Sequence, residues 1–243
     1  MVMKSNIDDL IIEITRKCNM ACEHCLRGDA ENVNLDIAHV EKLFNQVDSI
    51  GTLTITGGEP SLHPEIIDQI IEIAKLKEVS IDRFYMVTNA KKVTDEFMVS
   101  LIKLYSYCND MTEEGIGGLA ISNDDYHDEL ISENVRKLQI FKFTHFKNRD
   151  GERYDDNMVN EGRAILNYGG REVEPMAYEI WDNTISNNDV YLNCKGDILT
   201  DCNLSYESQE EKKEFLLGNV QKKGFNLLRA VEKYNAKLEK ELV

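Results

Sequence analysis

The sequence predicts an α/β fold whose parallel strands form a partial, open barrel. Short β-branched segments alternate four times with segments of helical periodicity, which is typical of parallel strands joined by right-handed crossovers. The chain has 243 residues, of which 42% are hydrophobic, enough to form one substantial domain. The alternation stops well before a complete eight-unit barrel, which takes about 250 residues, could be built.

The first strand is predicted at Asp9–Thr15, because this stretch is short, β-branched and almost continuously apolar. Asp36 is a suitable N-cap for the helix that follows, and Gly51 is its predicted end. The apolar stripe of this helix consists of Ile37, Val40, Leu43, Phe44, Val47 and Ile50. We predict the second strand at Thr52–Thr56.

The later segments repeat the alternation. Pro64 suits the first turn of a second helix, and Thr94 suits the N-cap of a third. A fourth helix is predicted to end near Lys137. The remaining strands are predicted at Ile81–Thr88, Ile116–Ser122 and Ile140–Phe146. We place this barrel domain at residues 6–168.

The alternation of strands and helices does not continue in residues 169–243. Val190–Leu192 and Ile198–Thr200 flank a Lys-Gly-Asp turn and predict a β-hairpin. The segment after it is highly charged and ends with a helical apolar stripe. We therefore predict a small α/β C-terminal extension.

The charge of the chain limits the partners it can have. It carries 44 acidic and 28 basic residues, a formal net charge of −16 at pH 7. This charge opposes attraction to nucleic acids and to anionic membranes. The sequence has no apolar run near the roughly 18 residues of a membrane span, and no secretory segment at its start. We expect a cytoplasmic protein without nucleic-acid or membrane partners.

Three of the six cysteines lie within eight residues, in Cys-Asn-Met-Ala-Cys-Glu-His-Cys, directly after the first strand. Thiolates this close together indicate a metal centre rather than disulfides. Cys18, Cys22 and Cys25 could hold an iron–sulfur cluster with one open coordination position. The alternative is structural zinc, closed by His24 or a distant cysteine as the fourth ligand.

The Cys-x3-Cys-x2-Cys loop is followed by Gly-Gly-Glu-Pro at residues 57–60, and the two motifs together resemble the radical S-adenosylmethionine (radical SAM) superfamily. The resemblance implies a partial (β/α)6 barrel of the TIM type. It also implies an oxygen-sensitive 4Fe-4S cluster on Cys18, Cys22 and Cys25, whose open iron chelates S-adenosylmethionine. An external reductant such as flavodoxin or ferredoxin, an electron-donor protein, would supply the electron that cleaves the cofactor to a 5′-deoxyadenosyl radical.

The same resemblance implies further cofactor-binding residues. Paired glycines let the backbone approach a ligand closely, and the Gly-Gly-Glu-Pro motif would bind the cofactor's amino group. Thr88 and Asn89 resemble a Thr-Asn-Gly element, with Ala90 in place of glycine. The cofactor candidates are His24, Gly57, Gly58, Glu59, Pro60, Thr88, Asn89, Ser122, Asp124 and Arg163. Three of these residues have an alternative to cofactor binding: His24 could pack beside the cluster, Asp124 could cap a helix, and Arg163 could form a surface ion pair.

The C-terminal extension resembles a degenerate SPASM or twitch domain that covers the barrel mouth. Cys194 and Cys202 flank its hairpin turn, and a Leu-Gly-Asn segment follows. These two cysteines and His127 are candidates for the substrate side, and for His127 the alternative is a surface or packing histidine. The extension has only these two cysteines, and Cys108 lies in the barrel, so protein ligands alone do not suffice for an auxiliary four-cysteine cluster. Cys194 and Cys202 either take part in some other auxiliary iron–sulfur centre or are ordinary thiols.

We therefore expect an enzyme that abstracts hydrogen from a peptide or small-molecule substrate. A glycyl-radical-enzyme activase is one alternative, since such proteins are of similar length. A non-catalytic iron–sulfur binding or sensor protein is another.

Overall fold

A mixed sheet of ten strands organises the part of the chain that the computed structural model describes, residues 4–109, 117–123, 127, 129–148, 159–167 and 170–241. The strands are β1 Ser5–Thr15, β2 Val47–Gly57, β3 Ser80–Thr88, β4 Gly118–Asn123, β5 Thr144–Asn148, β6 Glu179–Trp181, β7 Thr184–Ser186, β8 Val190–Leu192, β9 Asp197–Leu199 and β10 Leu216–Asn219. The helices are α1 Ile37–Phe44, α2 Pro64–Lys77, α3 Asp95–Tyr107, α4 Ser132–Leu138, α5 Ala164–Asn167, α6 Tyr206–Glu211 and α7 Leu227–Glu241. Short 3-10 turns occupy Pro60–Leu62 and Lys213–Phe215.

Strands β1 to β5 are parallel and lie side by side in sequence order, as right-handed crossovers require. Among the described residues the sheet does not close on itself, so the predicted open, partial barrel is confirmed. The carboxyl ends of these strands meet at one edge, where α/β proteins form their sites.

The predicted hairpin is also confirmed, as antiparallel β8 and β9. Its strands join the barrel sheet at the β1 edge, and the expectation that the extension covers the barrel mouth stays a prediction. Strand β8 pairs in parallel with β1, and β9 and β10 continue the sheet beyond it. The extension therefore widens the sheet sideways. The domain boundary predicted at residue 168 falls outside the described residues and stays a prediction.

The first helix is shorter than predicted. It ends at Phe44, and β2 begins at Val47, so Val47 and Ile50 belong to a strand. Their spacing of three fits a helix stripe, but both are buried in the sheet, where β2 pairs with β1 and β3. Strand β5 likewise begins at Thr144, because Ile140 lies in a turn and is largely exposed.

The predicted helix starts are correct. The Asp36 carboxylate accepts from the Ala38 N–H at 2.9 Å, the Thr94 hydroxyl accepts from the Phe97 N–H at 3.2 Å, and Pro64 begins α2. The main core combines β1–β4 and α1–α3 with Val190, Leu192 and Val231 of the extension. No described helix is both long enough and apolar enough to cross a membrane.

Candidate active site

The cysteine loop begins where β1 ends, at the edge of the sheet where the carboxyl ends of the strands meet. Cys18, Cys22 and Cys25 are partly buried and form no disulfide. Three free thiols on one short loop can each bind a different iron of one cluster and leave one iron without a cysteine ligand.

The segment that contains Arg163 holds this loop in place. The Arg163 Nε donates to the carbonyl oxygen of Cys22 at 2.8 Å, and its backbone N–H donates to that of Cys25 at 2.9 Å. The guanidinium also pairs with exposed Asp29 at 2.8 Å. A Cβ on Gly162 would lie 2.4 Å from the carbonyl oxygen of Leu26, so glycine is needed for this approach. The pair with Asp29 is the surface ion pair that the sequence left as the alternative to cofactor binding by Arg163.

The Gly-Gly-Glu-Pro turn packs against the chain that leads into the cysteine loop. The Gly58 N–H donates to the Thr15 carbonyl oxygen at 2.8 Å, and the Glu59 N–H donates to that of Lys17 at 2.9 Å. A Cβ on Gly58 would lie 2.2 Å from the Lys17 carbonyl oxygen. The paired glycines thus permit close approach to the protein backbone, and the turn lies directly beside the cysteine loop.

The Glu59 side chain ties the end of β2 to the end of β3. Its carboxylate accepts from the Thr88 hydroxyl at 2.7 Å, the Asn89 N–H at 2.8 Å and the Ser61 N–H at 3.0 Å. Burial raises the pKa of Glu59, and these hydrogen bonds offset part of the rise. The carboxylate, predicted to accept from an ammonium, is thus already held by donors of its own chain, and Pro60 opens the short turn behind it.

Asn89 connects this strand end to the cysteine loop. Its Nδ2 donates to the Asn19 Oδ1 at 2.8 Å, and Asn19 lies between Cys18 and Cys22. The next residue, Ala90, has a φ of 53°, the left-handed conformation that glycine adopts most easily. The backbone therefore keeps the conformation of the Thr-Asn-Gly element although the glycine is absent.

Two histidines predicted from separate motifs lie in contact. The rings of His24 and His127 have centroids 4.8 Å apart and an interplanar angle of 71°, an edge-to-face arrangement. Ser122 is buried at the end of β4, shortly before His127. The cysteine loop thus contacts the chain shortly after β4 through these two rings. Asp124 lies outside the described residues.

A buried polar network behind the loop was missed by the sequence predictions. Glu13 is fully buried, and its carboxylate accepts from the Arg16 Nε at 2.9 Å, the Tyr191 hydroxyl at 2.5 Å and the Cys194 N–H at 3.0 Å. Burial alone would raise the pKa of Glu13, but the charges of Arg16 and Arg27 and the hydrogen bonds outweigh it and lower the pKa. A charged residue in an otherwise apolar strand was the signal available in the sequence.

Arg16 links the network to the extension. It is fully buried, and it donates to Glu31 at 2.9 Å and to Gln209 of α6 at 2.8 Å. Arg27, at the end of the cysteine loop, donates to the Leu204 carbonyl oxygen at 2.7 Å. The extension is thereby fastened to both ends of the loop, at Arg16 and at Arg27.

Tyr206 of the extension contacts both Arg16 and Arg27. Its ring lies 4.4 Å from the Arg16 guanidinium, and its N–H donates to the Arg27 carbonyl oxygen at 3.1 Å. The hydroxyl is buried and has no hydrogen-bond partner among the described residues. Burial raises the pKa of Tyr206, and the nearby charges of Glu13 and Cys25 raise it further. A buried hydroxyl without a partner, on a residue bonded to the end of the cysteine loop, fits an acceptor such as a cluster sulfur.

The other three cysteines do not join the loop. The Cys194 thiol donates to the Glu13 carbonyl oxygen at 3.3 Å and packs in the main core, whereas Cys202 packs on the cluster of Ile11, Tyr191 and Leu199. Cys108 packs against the main core after α3. Burial raises the pKa of Cys108 to about 12 and raises those of Cys194 and Cys202 as well. All three are therefore protonated thiols at neutral pH.

Comparison with known proteins agrees with this geometry. The family model of the Radical SAM superfamily matches residues 12–141, more than half of the chain. The chain belongs to the radical SAM superfamily. The match ends before the extension, so the resemblance to SPASM and twitch domains stays a prediction.

Similar radical SAM sequences include GTP 3′,8-cyclase of Chlorobaculum tepidum, 30% identical over 135 residues, which are 54% of this chain and 37% of that protein. Glutamate 2,3-aminomutase of Clostridioides difficile is 25% identical over 205 residues, 66% of this chain and 47% of that protein. The chain thus spans less than half of the length of these curated relatives. The solved structure of native anSMEcpe with bound AdoMet and Cp18Cys peptide has a TM-score of 0.55 at 13% identity, covering 96% of this chain and 82% of that one.

Membership of the radical SAM superfamily implies a 4Fe-4S cluster and S-adenosylmethionine. The residues present fit the cluster, because three free, partly buried thiols share one short loop. The Tyr206 hydroxyl supplies a buried donor beside them. The roles of the individual site residues remain predictions.

Proposed function

We propose that this protein reductively cleaves S-adenosylmethionine and abstracts a hydrogen atom from a peptide or small-molecule substrate. The observation that carries the proposal is the support of the cysteine loop from two sides. The Gly-Gly-Glu-Pro turn is hydrogen-bonded to the chain just before Cys18, and Arg163 is hydrogen-bonded to Cys22 and Cys25. Such support holds the three cysteines in one arrangement, as the ligands of one cluster require.

In this proposal Cys18, Cys22 and Cys25 hold the cluster, whose chemistry when bound is the transfer of one electron to S-adenosylmethionine. An electron-donor protein supplies that electron. Residues 57–60, with the carbonyl groups of the turn, orient the cofactor's amino group. Ser122 and the His24–His127 pair form the wall that excludes water from the pocket.

Arg163 and Glu59 act by positioning. Both side chains contact protein groups, the Cys22 carbonyl oxygen in one case and Thr88 and Asn89 in the other. Their contribution is to fix the loop and the strand ends at which cofactor and substrate meet. This differs from direct binding, which the sequence motifs suggested.

The substrate class is supported from two directions. The names of the two sequence relatives refer to a nucleotide and to an amino acid, and the anSMEcpe structure contains a peptide. Strands β4 and β5 end at the same edge of the sheet as β1, after which the cysteine loop begins. We propose that the substrate enters at these strand ends, beside His127.

A pair of cysteine variants tests the proposal. After anaerobic reconstitution, wild type should form 5′-deoxyadenosine from S-adenosylmethionine and dithionite, and Cys22→Ala should form none. Cys108→Ala is the matched control, because this thiol packs away from the loop, and it should retain product formation. Product formation by Cys22→Ala, or its loss in Cys108→Ala with the fold intact, would contradict the proposal. Absence of product from the wild type would favour a non-catalytic iron–sulfur protein.

A further inference from the structure

A groove of about 520 Å³ lies between β10 and α7, at the far edge of the sheet. All four residues of β10 line one side, and Arg229, Lys233 and Lys237 of α7 line the other. Phe225 forms part of the apolar surface and packs on Gly218, where a Cβ would lie 2.8 Å from the ring. None of these residues belongs to the candidate active site.

The charge of the groove is opposite to that of the whole chain. Six basic side chains line it, together with a single acidic one, Glu214, although the chain has a net charge of −16. The basic residues are Lys213, Lys222, Lys223, Arg229, Lys233 and Lys237. Within the described part of the chain, Lys222, Lys223, Arg229 and Lys233 form no ion pair with a carboxylate. A concentration of unpaired cations in an acidic protein points to an anionic partner.

The backbone at the groove is also incompletely paired. Strand β10 ends the strand order and pairs with β9 on its inner side. On its outer side the described residues place no further strand. An open edge presents a row of N–H and C=O groups that can pair with another extended chain.

We propose that the groove binds an acidic peptide segment, which lies in an extended conformation as an additional strand beside β10. An extended chain satisfies both features, because its backbone pairs with the edge and its carboxylates reach the lysines and Arg229. A nucleotide would neutralise the cations but leave the strand edge unpaired. The proposal goes beyond the proposed function, since no step of S-adenosylmethionine cleavage depends on this groove.

The first test compares two double variants of equal net charge. Lys223→Glu with Lys233→Glu reverses two exposed cations of the groove, whereas Lys92→Glu with Lys142→Glu reverses two exposed cations elsewhere. The probe is a fluorescein-labelled peptide of alternating glutamate and threonine, followed by fluorescence anisotropy with the reconstituted protein. The groove variant should bind it at least about tenfold more weakly than the wild type, and the control within about twofold. Equal weakening in both variants, or no binding by the wild type at low salt, would overturn the proposal.

The second test separates strand pairing from simple charge attraction. The same peptide with N-methyl groups at alternate residues keeps its carboxylates but loses the N–H groups that pair with an edge. It should bind the wild type at least about tenfold more weakly. Equal binding of the two peptides would contradict strand pairing. Complete displacement of the peptide by an equimolar amount of inorganic tripolyphosphate would do the same, and either result would show that the groove binds small anions instead. Formation of 5′-deoxyadenosine by the groove variant shows separately that the active site is intact.

Discussion

Arg163 and Cys22 are 141 positions apart in the sequence, yet the Arg163 Nε donates a 2.8 Å hydrogen bond to the Cys22 carbonyl oxygen. The same residue donates its backbone N–H to the Cys25 carbonyl oxygen. Two of the three cysteine positions are thus fixed by one residue from beyond the fifth strand. This relationship makes the geometry of the cluster loop depend on a distant segment.

Arg163→Lys should loosen the cysteine loop. Lysine has one nitrogen at its end, so it cannot reproduce the two separate guanidinium nitrogens that bond to Cys22 and Asp29. Iron should be lost to a chelator about three- to tenfold faster than from the reconstituted wild type, which corresponds to one lost hydrogen bond. Arg136→Lys, on the exposed surface of α4, serves as control and should lose iron at the rate of the wild type. Identical rates for both variants would show that the Arg163 contact is dispensable.

Glu13→Gln should destabilise the fold. Glu13 is fully buried against Arg16, and removal of one partner of a buried pair costs about 3–5 kcal/mol. Glu41→Gln removes a partner of the surface pair with Lys77 and should cost less than about 1 kcal/mol. Urea unfolding of both variants measures the difference. A similar loss in the two variants would mean that the buried network contributes no more than a surface ion pair.

The difference in unfolding free energy between the wild type and Glu13→Gln should depend on pH. The pKa of Glu13 in the folded state lies below its ordinary value of 4.5, so the folded state binds this proton less tightly than the unfolded state does. Its stabilisation is therefore complete above pH 4.5 and is lost as the pH falls through the folded-state pKa. The gap in unfolding free energy should be constant near neutral pH and narrow in acid. A gap that widens in acid would contradict the assigned ionised state.

Tyr206→Phe should lower the reduction potential of the cluster. The buried hydroxyl lacks a partner among the described residues and lies close enough to Cys25 to sense its charge. A hydrogen bond to a cluster sulfur stabilises the reduced, more negative state. Loss of about 1 kcal/mol corresponds to about 40 mV for one electron, measurable by potentiometry with EPR detection. Tyr178→Phe, whose hydroxyl bonds to the Asp189 carbonyl oxygen, should leave the potential unchanged. Equal reduction potentials in the wild type and Tyr206→Phe would show that the Tyr206 hydroxyl does not bond to the cluster.

The sequence predicted the local features of the molecule well. Short apolar, β-branched segments predicted the existence of β1 to β5, and Asp36, Pro64 and Thr94 predicted the helix starts, because these signals depend on nearby residues alone. The end of the first helix was wrong, because Val47 and Ile50 have a spacing that suits a helix and a buried strand alike. Pairing with neighbouring strands decided between the two, and a single sequence does not record that pairing.

The motifs indicated which residues surround the site, but less well what their side chains contact. The spacing of Gly57 and Gly58 predicted a close approach, which the structure shows to be toward Thr15 and Lys17. The pairing of Arg163 with Cys22 and of Glu13 with Tyr191 joins segments more than 100 positions apart. Such contacts follow from the tertiary fold and have no local signature in the chain.

Iron content measured together with 5′-deoxyadenosine formation tests the central claim most directly. After anaerobic reconstitution with iron and sulfide, the wild type should contain about four irons per chain and form 5′-deoxyadenosine with dithionite and S-adenosylmethionine. About eight irons would show a second cluster, which the separate positions of Cys108, Cys194 and Cys202 do not predict. Zinc in place of iron, with no 5′-deoxyadenosine, would contradict the account.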